Sequence, residues 1–388
     1  MIHVNLLNLF NDGKIDGVGQ YTLNLFRGLS EIEDLKRFNF LVTEDNRSFV
    51  AEKFPGVSMT VMPRCRWERF FIYKKTFIKF LYWDSISVPK FMKKHSKDVL
   101  FHPYHALSIY TSLKYCTVVT LHDLLAWNHS EDLSVLKRIW SRVKYKQIIN
   151  NARYLITPSN FVKHDILSKF SSVYGEKIRV LPNPVYIDTT DVVPISVRKP
   201  YILSVNTNYP HKNLITLLKA YTRIMDQVEH GLILVGMRDK KTDKQLSEYM
   251  EMIGSEKLLI TEYLNDSKRN YIYRNASLFV SPSLHEGFGM TPIEATFFDV
   301  PVLTTKMTSL PETTLGLLDY YDPPHDDVIL SEKLLEMLSR ESSYVDLQSI
   351  RTTFEELYNC RSVAKHYSIF FDEVERNRGR TGNEDNIP

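Results

Sequence analysis

Short apolar runs recur along the chain, each followed by a stretch whose apolar positions keep a helical period. The first run, 1–8 (MIHVNLLN), precedes DGKIDGVGQYTLNLFRGL, where Tyr21, Leu25 and Leu29 fall four apart and share one helix face. Short apolar runs of this kind are typical of strands buried in a parallel sheet. The rhythm returns at 116–124 (CTVVTLHDL), 153–165 (RYLITPSNFVKHD), 229–236 (EHGLILVG), 257–281 and 299–304 (DVPVLT). Strand and helix thus alternate in both halves, and 388 residues exceed what one ordinary core serves. Two doubly wound α/β domains are expected. Their boundary is expected in 183–200 (NPVYIDTTDVVPISVRKP), which holds Pro184, Pro194 and Pro200 and no helical period.

The segment with the most chemistry is 281–295, SPSLHEGFGMTPIEA. An apolar strand ends at Ser281, a glycine turn follows, and Pro292 sits in the first turn of a helix, where its missing N–H has no helical partner to lose. Gly287 and Gly289, with Phe288 between them, allow a backbone to approach an anion closely. The N–H groups of Met290 and Thr291 come where a helix start has unpaired donors and partial positive charge. The segment therefore predicts a diphosphate cradle flanked by two carboxylates, Glu286 and Glu294.

Glu286 and Glu294, with seven residues between them, resemble the E-x7-E signature of retaining glycosyltransferases of family 4, enzymes of the GT-B fold. Residues 201–214 (YILSVNTNYPHKNL) are similar to the start of that family's second domain. There Lys212 is the candidate cation for the leaving diphosphate. The family usually has glycine where Asn206 stands and arginine where His211 stands, so His211 is a weaker, pH-dependent phosphate contact. Tyr263 and Leu264 fall where the family borders the nucleotide base, with core packing the equal alternative. Ser309, Leu310 and Pro311 match a further family loop. Phe298 and Asp299 replace a small residue and glycine before the PV pair, which changes packing more than chemistry.

The first half carries weaker signals. Gly17 and Gly19 follow the first strand; in the resembling family this loop faces both the donor diphosphate and the acceptor. It is not a nicotinamide fingerprint, since Thr22 occupies the last glycine position. His122 and Asp123 lie at the carboxyl end of a strand, the edge where open α/β sheets bind ligands. The resemblance places His122 on the sugar-facing floor, with Asp123 able to orient it. Ser159 is placed to cap a helix.

Charge and cysteines narrow the setting. Net charge is +3, yet 64–97 holds ten Lys or Arg against Glu68 and Asp84, interleaved with eight aromatics from Trp67 to Trp83. Such a stretch suits an anionic membrane face, or a helix whose rings enter the core while its lysines are solvated. LKRIWSRVKYK, 136–146, is a second stretch of this kind. No nucleic-acid recognition signature is present. Cys65, Cys116 and Cys360 have no close spacing, which fits a reducing compartment without disulfides or zinc. The opening run lacks the basic flank of a signal peptide, and no window reaches the ~18 apolar residues of a membrane span. His102 with His105, and His325 with Asp326 and Asp327, lack the partners of a metal set.

Together the resemblance implies two Rossmann-like domains facing across a cleft. The first, 1–185, would bind acceptor and the second, 199–360, nucleotide sugar; a helix at 361–376 would return to the first domain, ahead of a polar tail at 377–388. The implied activity is a metal-independent, retaining hexosyl transfer from a nucleotide-diphosphate sugar, with no cofactor. GDP-mannose is the first donor choice, and a glycan or polyprenyl-linked acceptor in surface polysaccharide (lipopolysaccharide) assembly, on the cytoplasmic side of a membrane, the expected partner. Two alternatives stand beside it: a nucleotide-sugar epimerase, and a non-catalytic nucleotide-sugar-binding membrane adaptor.

Overall fold

The computed structural model describes residues 1–10, 15–33, 35–63, 82–105, 115–129, 134–207, 209–236, 243–262, 264–340 and 344–378. The chain forms two compact units, Met1–Pro184 with Cys360–Pro388, and Val185–Asn359. The crossing at Pro184 lies at the head of the proline-containing segment, and the remainder of that segment belongs to the second unit.

The first unit is built on strands β1 (Ile2–Asn5), β2 (Phe38–Val42), β3 (Ser58–Val61), β4 (Val99–His102), β5 (Cys116–Thr120), β6 (Tyr154–Thr157) and β7 (Ile178–Val180). They form one seven-stranded sheet in the order β3-β2-β1-β4-β5-β6-β7, with every pairing parallel. The strand order reverses between β1 and β4. β1, β2 and β4 are buried along their whole length; β1 (IHVN) nevertheless alternates, and its buried His3 and Asn5 are satisfied by Asn39 and His102. The helix Gly17–Ile32 starts where the Asp16 side chain accepts from Gly19 N, and buries Tyr21, Leu25, Phe26 and Leu29. Ser159 likewise caps the helix Asn160–Lys169 through Val162 N.

The returning helix, Cys360–Asn377, puts Val363, Ala364, Tyr367, Phe370, Phe371 and Val374 into the core that the first helix covers. Only glycine fits at the crossing. A Cβ on Gly28 would stand 2.0 Å from the Cys360 carbonyl oxygen. A buried Tyr21–Tyr367 hydroxyl pair, 2.9 Å apart, joins the same two helices.

The described part of the basic aromatic stretch is 82–97. There Trp83 packs with Leu7, Leu41, Met62, Val88, Met92 and Leu100, while Lys90, Lys93, Lys94 and Lys97 are exposed. This portion is a core-facing element with solvated lysines, and 64–81 lie outside the described residues.

The second unit holds β8 (Tyr201–Val205), β9 (Gly231–Val235), β10 (Leu258–Thr261), β11 (Leu278–Ser281), β12 (Val302–Thr305) and β13 (Asp319–Tyr321). All pair parallel in the order β10-β9-β8-β11-β12-β13. Here the order reverses between β8 and β11, so their two loops leave toward opposite sides and open a gap at the carboxyl edge. Two apolar cores lie on the two faces of this sheet, one around Leu217, Tyr221 and Leu334, the other around Tyr273, Phe279 and Ile293.

Candidate active site

The loops after β8 and β11 meet at that reversal. After β8, Pro210–Lys212 form a single tight turn and Asn213 takes a left-handed conformation at the start of the helix Leu214–Ile224. The Asn213 amide donates to the Pro324 carbonyl at 2.8 Å, which fixes the turn. Leu284 N donates to the His211 carbonyl at 2.8 Å and ties the two loops together. Lys212 Nζ then donates to Glu286 Oε1 at 2.6 Å, with the side chains 18% and 14% exposed. Burial pushes the Glu286 carboxyl up, but the Lys212 charge and hydrogen bond, with His211 adding to them, outweigh it and hold the group below its usual value. Two residues 74 apart in sequence thus form one ion pair at the ligand-binding edge.

The backbone of Glu286 is held from a third loop. Thr308 Oγ1 accepts from Glu286 N at 3.0 Å, and Ser309 Oγ donates to its carbonyl at 2.9 Å. This gives Ser309 a definite duty. Thr308, which the sequence did not single out, sits at φ 53°, a conformation that residues other than glycine rarely adopt.

Gly289 has φ 83° and opens the helix Met290–Thr296 with no side-chain cap. The first-turn N–H groups of Met290 and Thr291 therefore have no capping side chain. The Phe288 ring is buried edge-on to Tyr358, 5.1 Å between centroids, so it serves the core and leaves only its backbone at the turn. Its carbonyl accepts from Thr313 Oγ1 at 2.6 Å. Gly287 is buried within the same turn.

Glu294 is 6% exposed, and its Oε2 accepts from the Tyr273 hydroxyl at 3.1 Å. Tyr273 in turn stacks on Phe298, planes 7° apart, so Phe298 at the mismatched position supports the ring that holds Glu294. Burial drives the Tyr273 phenol well above its ordinary value, and the Glu294 charge adds to the effect, so it remains a donor. His211 stacks against Tyr209. Leu264 is half-buried against the core, and Tyr263 lies outside the described residues.

In the first unit, His122 Nε2 lies 2.9 Å from the Pro103 carbonyl, and its ring meets Tyr21 edge-on at 4.6 Å. A carbonyl accepts only, so Nε2 carries the proton and Nδ1 is left as an acceptor. Burial pulls this imidazole below its ordinary pKa, against the Pro103 carbonyl and the Asp123 and Asp16 carboxylates. The expected orientation by Asp123 is corrected: Asp123 Oδ1 accepts from Leu125 N at 2.9 Å and caps the next turn, while the Pro103 carbonyl orients His122. Gly19 N donates to Asp16 Oδ1 at 2.8 Å, the cap that starts this helix. Gly17 is exposed at the head of that helix.

The β1/β4 reversal holds a buried polar network that sequence reasoning missed. Asn5 Nδ2 donates to His102 Nδ1 at 3.1 Å, and Asn5 Oδ1 accepts from Tyr104 Oη at 3.0 Å. Asp84 is buried with neither carboxyl oxygen hydrogen-bonded; burial pushes it up to about 7 against the pull of Lys144.

Among the described residues one group, His3, His95 and Asp98, has metal-ligand spacing. Asn39 Nδ2 donates to His3 Nδ1 at 3.0 Å, which leaves the proton on Nε2 facing Asp98 Oδ2 at 3.1 Å. His3 thus uses both ring nitrogens in hydrogen bonds and has no lone pair left for a metal. Asp326 caps a helix through Val328 and Ile329, and Asp327 pairs with Arg223 at 2.5 Å, so both serve the fold. A cavity of about 310 Å³ opens beside Val302 and Asp319, at the starts of β12 and β13 and so at the opposite edge of the sheet from Glu286.

Residues 188–349 match the family of glycosyl transferases group 1, and residues 15–189 match glycosyltransferase family 4. The O-antigen chain mannosyltransferase RfbU of Salmonella typhimurium is 24% identical over 360 residues, 88% of this chain and 94% of that protein. O-antigen chain mannosyltransferase B of Escherichia coli is 25% identical over 352 residues, 84% of this chain and 88% of that protein. Among solved structures, WaaG, a glycosyltransferase involved in lipopolysaccharide biosynthesis, superposes with a TM-score of 0.64 at 16% identity, covering 98% of this chain and all of that one. HepE of Anabaena, solved with UDP and glucose, gives 0.69 at 12% identity over 96% of this chain and 99% of that one. The fold is GT-B. With one family match over each half and relatives aligned along nearly the full length, the chain belongs to the family 4 glycosyltransferases, in their mannosyltransferase-like branch.

Proposed function

We propose that the protein is a retaining mannosyltransferase that moves mannose from GDP-mannose to a lipid-linked glycan during surface polysaccharide assembly, without metal or cofactor, at the cytoplasmic face of a membrane. The observation that carries it is the Lys212–Glu286 pair at 2.6 Å, set at the reversal of the second sheet beside an uncapped helix start. A donor entering there meets cationic and N–H groups for its diphosphate and a carboxylate for its sugar hydroxyls. The names of the relatives supply the mannose and the O-antigen context; UDP and glucose in HepE speak for a nucleotide sugar at this kind of site.

In this reading the bond from the anomeric carbon to the diphosphate breaks while the acceptor oxygen attaches on the same face, through an oxocarbenium-like state. The acceptor proton goes to the departing diphosphate. Lys212 and the N–H groups of Met290 and Thr291 stabilise the charge that builds on that group, and being fixed beforehand they need little reorganisation. Glu286 holds sugar hydroxyls, Glu294 the ribose, and His122 Nδ1 accepts from a hydroxyl on the acceptor side. Contact with an anionic membrane would bring the lipid-linked acceptor within reach.

The test is thermal stabilisation by GDP, UDP, ADP and their sugar conjugates with and without EDTA, then transfer to an acceptor with the product anomer read by NMR. Saturation at about 100 Kd adds about 2.7 kcal/mol, a readily measured shift. A shift with GDP-mannose unchanged by EDTA, and a retained anomer, is expected; a shift with UDP-sugars alone overturns the donor assignment, and an inverted product overturns the mechanism. Family membership favours transfer over epimerisation, and loss of turnover in Glu286→Gln would separate the enzyme from the adaptor reading.

A further inference from the structure

The helix Val135–Asn151 is apolar on two opposite faces. One face, Tyr145, Ile148 and Ile149 with Ser141, is buried against Val119, Leu121, Leu155 and Val162 and fixes the helix to the first sheet. The opposite face carries Val135, Leu136, Ile139 and Val143 at 67%, 81%, 56% and 56% exposure, with Trp140 beside them at 37%. Their spacing of one, three and four residues makes a single continuous stripe. The exposed Lys137 borders it on one side and the exposed Arg142 and Lys146 on the other, and the helix contains no acidic residue. Arg142 lies 5.5 Å over Trp127, which keeps this cation at the edge of the stripe, whereas Lys144 reaches over the Trp140 ring toward the buried Asp84 and is not one of the flanking cations.

We propose that this outward stripe docks on an anionic lipid surface, with the aliphatic side chains and Trp140 entering the headgroup boundary and the flanking cations meeting lipid phosphates. This deepens the membrane contact named above and rests on that reading. Charge complementarity selects the occupant: cations on both borders with no acid between them require an anionic partner. The exposed aliphatics have nothing to contact on a nucleic-acid backbone, and lysines are depleted where proteins meet proteins. The inner face already holds the helix folded, so docking requires no coupled folding. Among the described residues no helix is long and apolar enough to cross a membrane, which leaves surface attachment as the mode open to this helix.

The experiment is co-sedimentation of the full chain with vesicles of phosphatidylcholine alone and of phosphatidylcholine with about a third phosphatidylglycerol, at low and high salt. Binding is expected on the anionic vesicles only and should weaken with salt. Leu136→Ser/Ile139→Ser/Val143→Ser and, separately, Lys137→Glu/Lys146→Glu should each lower it on the order of tenfold, with unchanged circular dichroism. Equal binding by parent and variants overturns the proposal. So does loss of self-association in the serine variant with vesicle binding intact, which would make the stripe an interface between two copies, or binding to duplex DNA that the serine changes leave untouched. Donor-sugar hydrolysis is measured alongside. If it proceeds in parent and variants while vesicle binding fails in all, the docking inference falls and the transferase reading stands; vesicle binding without any turnover of nucleotide sugars gives the reverse.

Discussion

Lys212 and Glu286 satisfy each other: the ammonium donates to Oε1 at 2.6 Å, and each side chain is less than a fifth exposed. In the proposed transfer the same two groups face opposite ends of the donor's breaking bond, so donor binding must redistribute a pair already formed. Lys212→Ala leaves a largely buried carboxylate without its cation. Burial then dominates and pushes the Glu286 carboxyl above its usual value, at a stability loss of about 1–3 kcal/mol. The wild-type carboxyl titrates below its unfolded value, so its contribution is full above the ordinary carboxylate range and is lost as pH falls through the folded value. The stability gap between wild type and variant should therefore be wider at neutral pH than under acid, as measured by denaturant unfolding. Turnover should fall about 10²–10³-fold, the scale for losing one fixed electrostatic contact to a transition state.

Tyr273→Phe removes the hydroxyl that donates to Glu294 Oε2 and keeps the ring stacked on Phe298. If Glu294 holds the donor's ribose, its freed carboxylate will sample other rotamers and donor binding will weaken by about tenfold, the size of a charge-assisted hydrogen bond. Steady-state kinetics should show this in KM for the donor, with kcat little changed. An equal drop in kcat with KM constant would place Glu294 in the transition state and contradict the ribose assignment.

Gly289→Ala tests the turn. At φ 83° an alanine is strained, and its Cβ would come 2.6 Å from Leu310 Cδ2. Backbone strain of about 1–3 kcal/mol should appear in thermal unfolding, and the shift of the Met290 and Thr291 N–H groups should weaken nucleotide binding. Gly316→Ala is the control: φ is 68° there too, but nothing lies within 4 Å of the added carbon. It should lose stability and keep its nucleotide affinity.

The fold was legible because buried parallel strands leave a simple mark, apolar runs such as Gly231–Val235 and Leu278–Ser281 without polar alternation. The Glu286–Glu294 spacing and Lys212 were legible as local motifs. What could not be read was direction. Phe288 lies between two glycines of the cradle, and nothing in the string says that its ring turns inward to Tyr358. Nothing around Gly19 in the string says that Asp16 takes its N–H. Tyr273 acts on Glu294 from the helix before β11, and Thr308 acts on Glu286 from the loop after β12, contacts that only the packing of separate elements makes. In the helix Val135–Asn151 the apolar stripes oppose each other, so no one-sided period marks it.

Asp84 offers the sharpest pH test, since a carboxyl buried without a hydrogen-bond donor penalises its own ionisation. Its folded value near 7 lies above the unfolded one. Between the two the unfolded chain has lost a proton that the folded chain keeps, so stability falls as pH rises through this window and levels off above it. Lys144, itself lowered to about 8 chiefly by burial, keeps its charge through most of that range and limits the fall without cancelling it. Asp84→Asn removes the titration and keeps the shape. It should unfold at higher denaturant than wild type at pH 8, and the advantage should shrink toward pH 4.5. A variant less stable than wild type at pH 8 would show instead that the ionised carboxylate is held by a partner, and that the network of Asn5, His102 and Tyr104 is built around a charge.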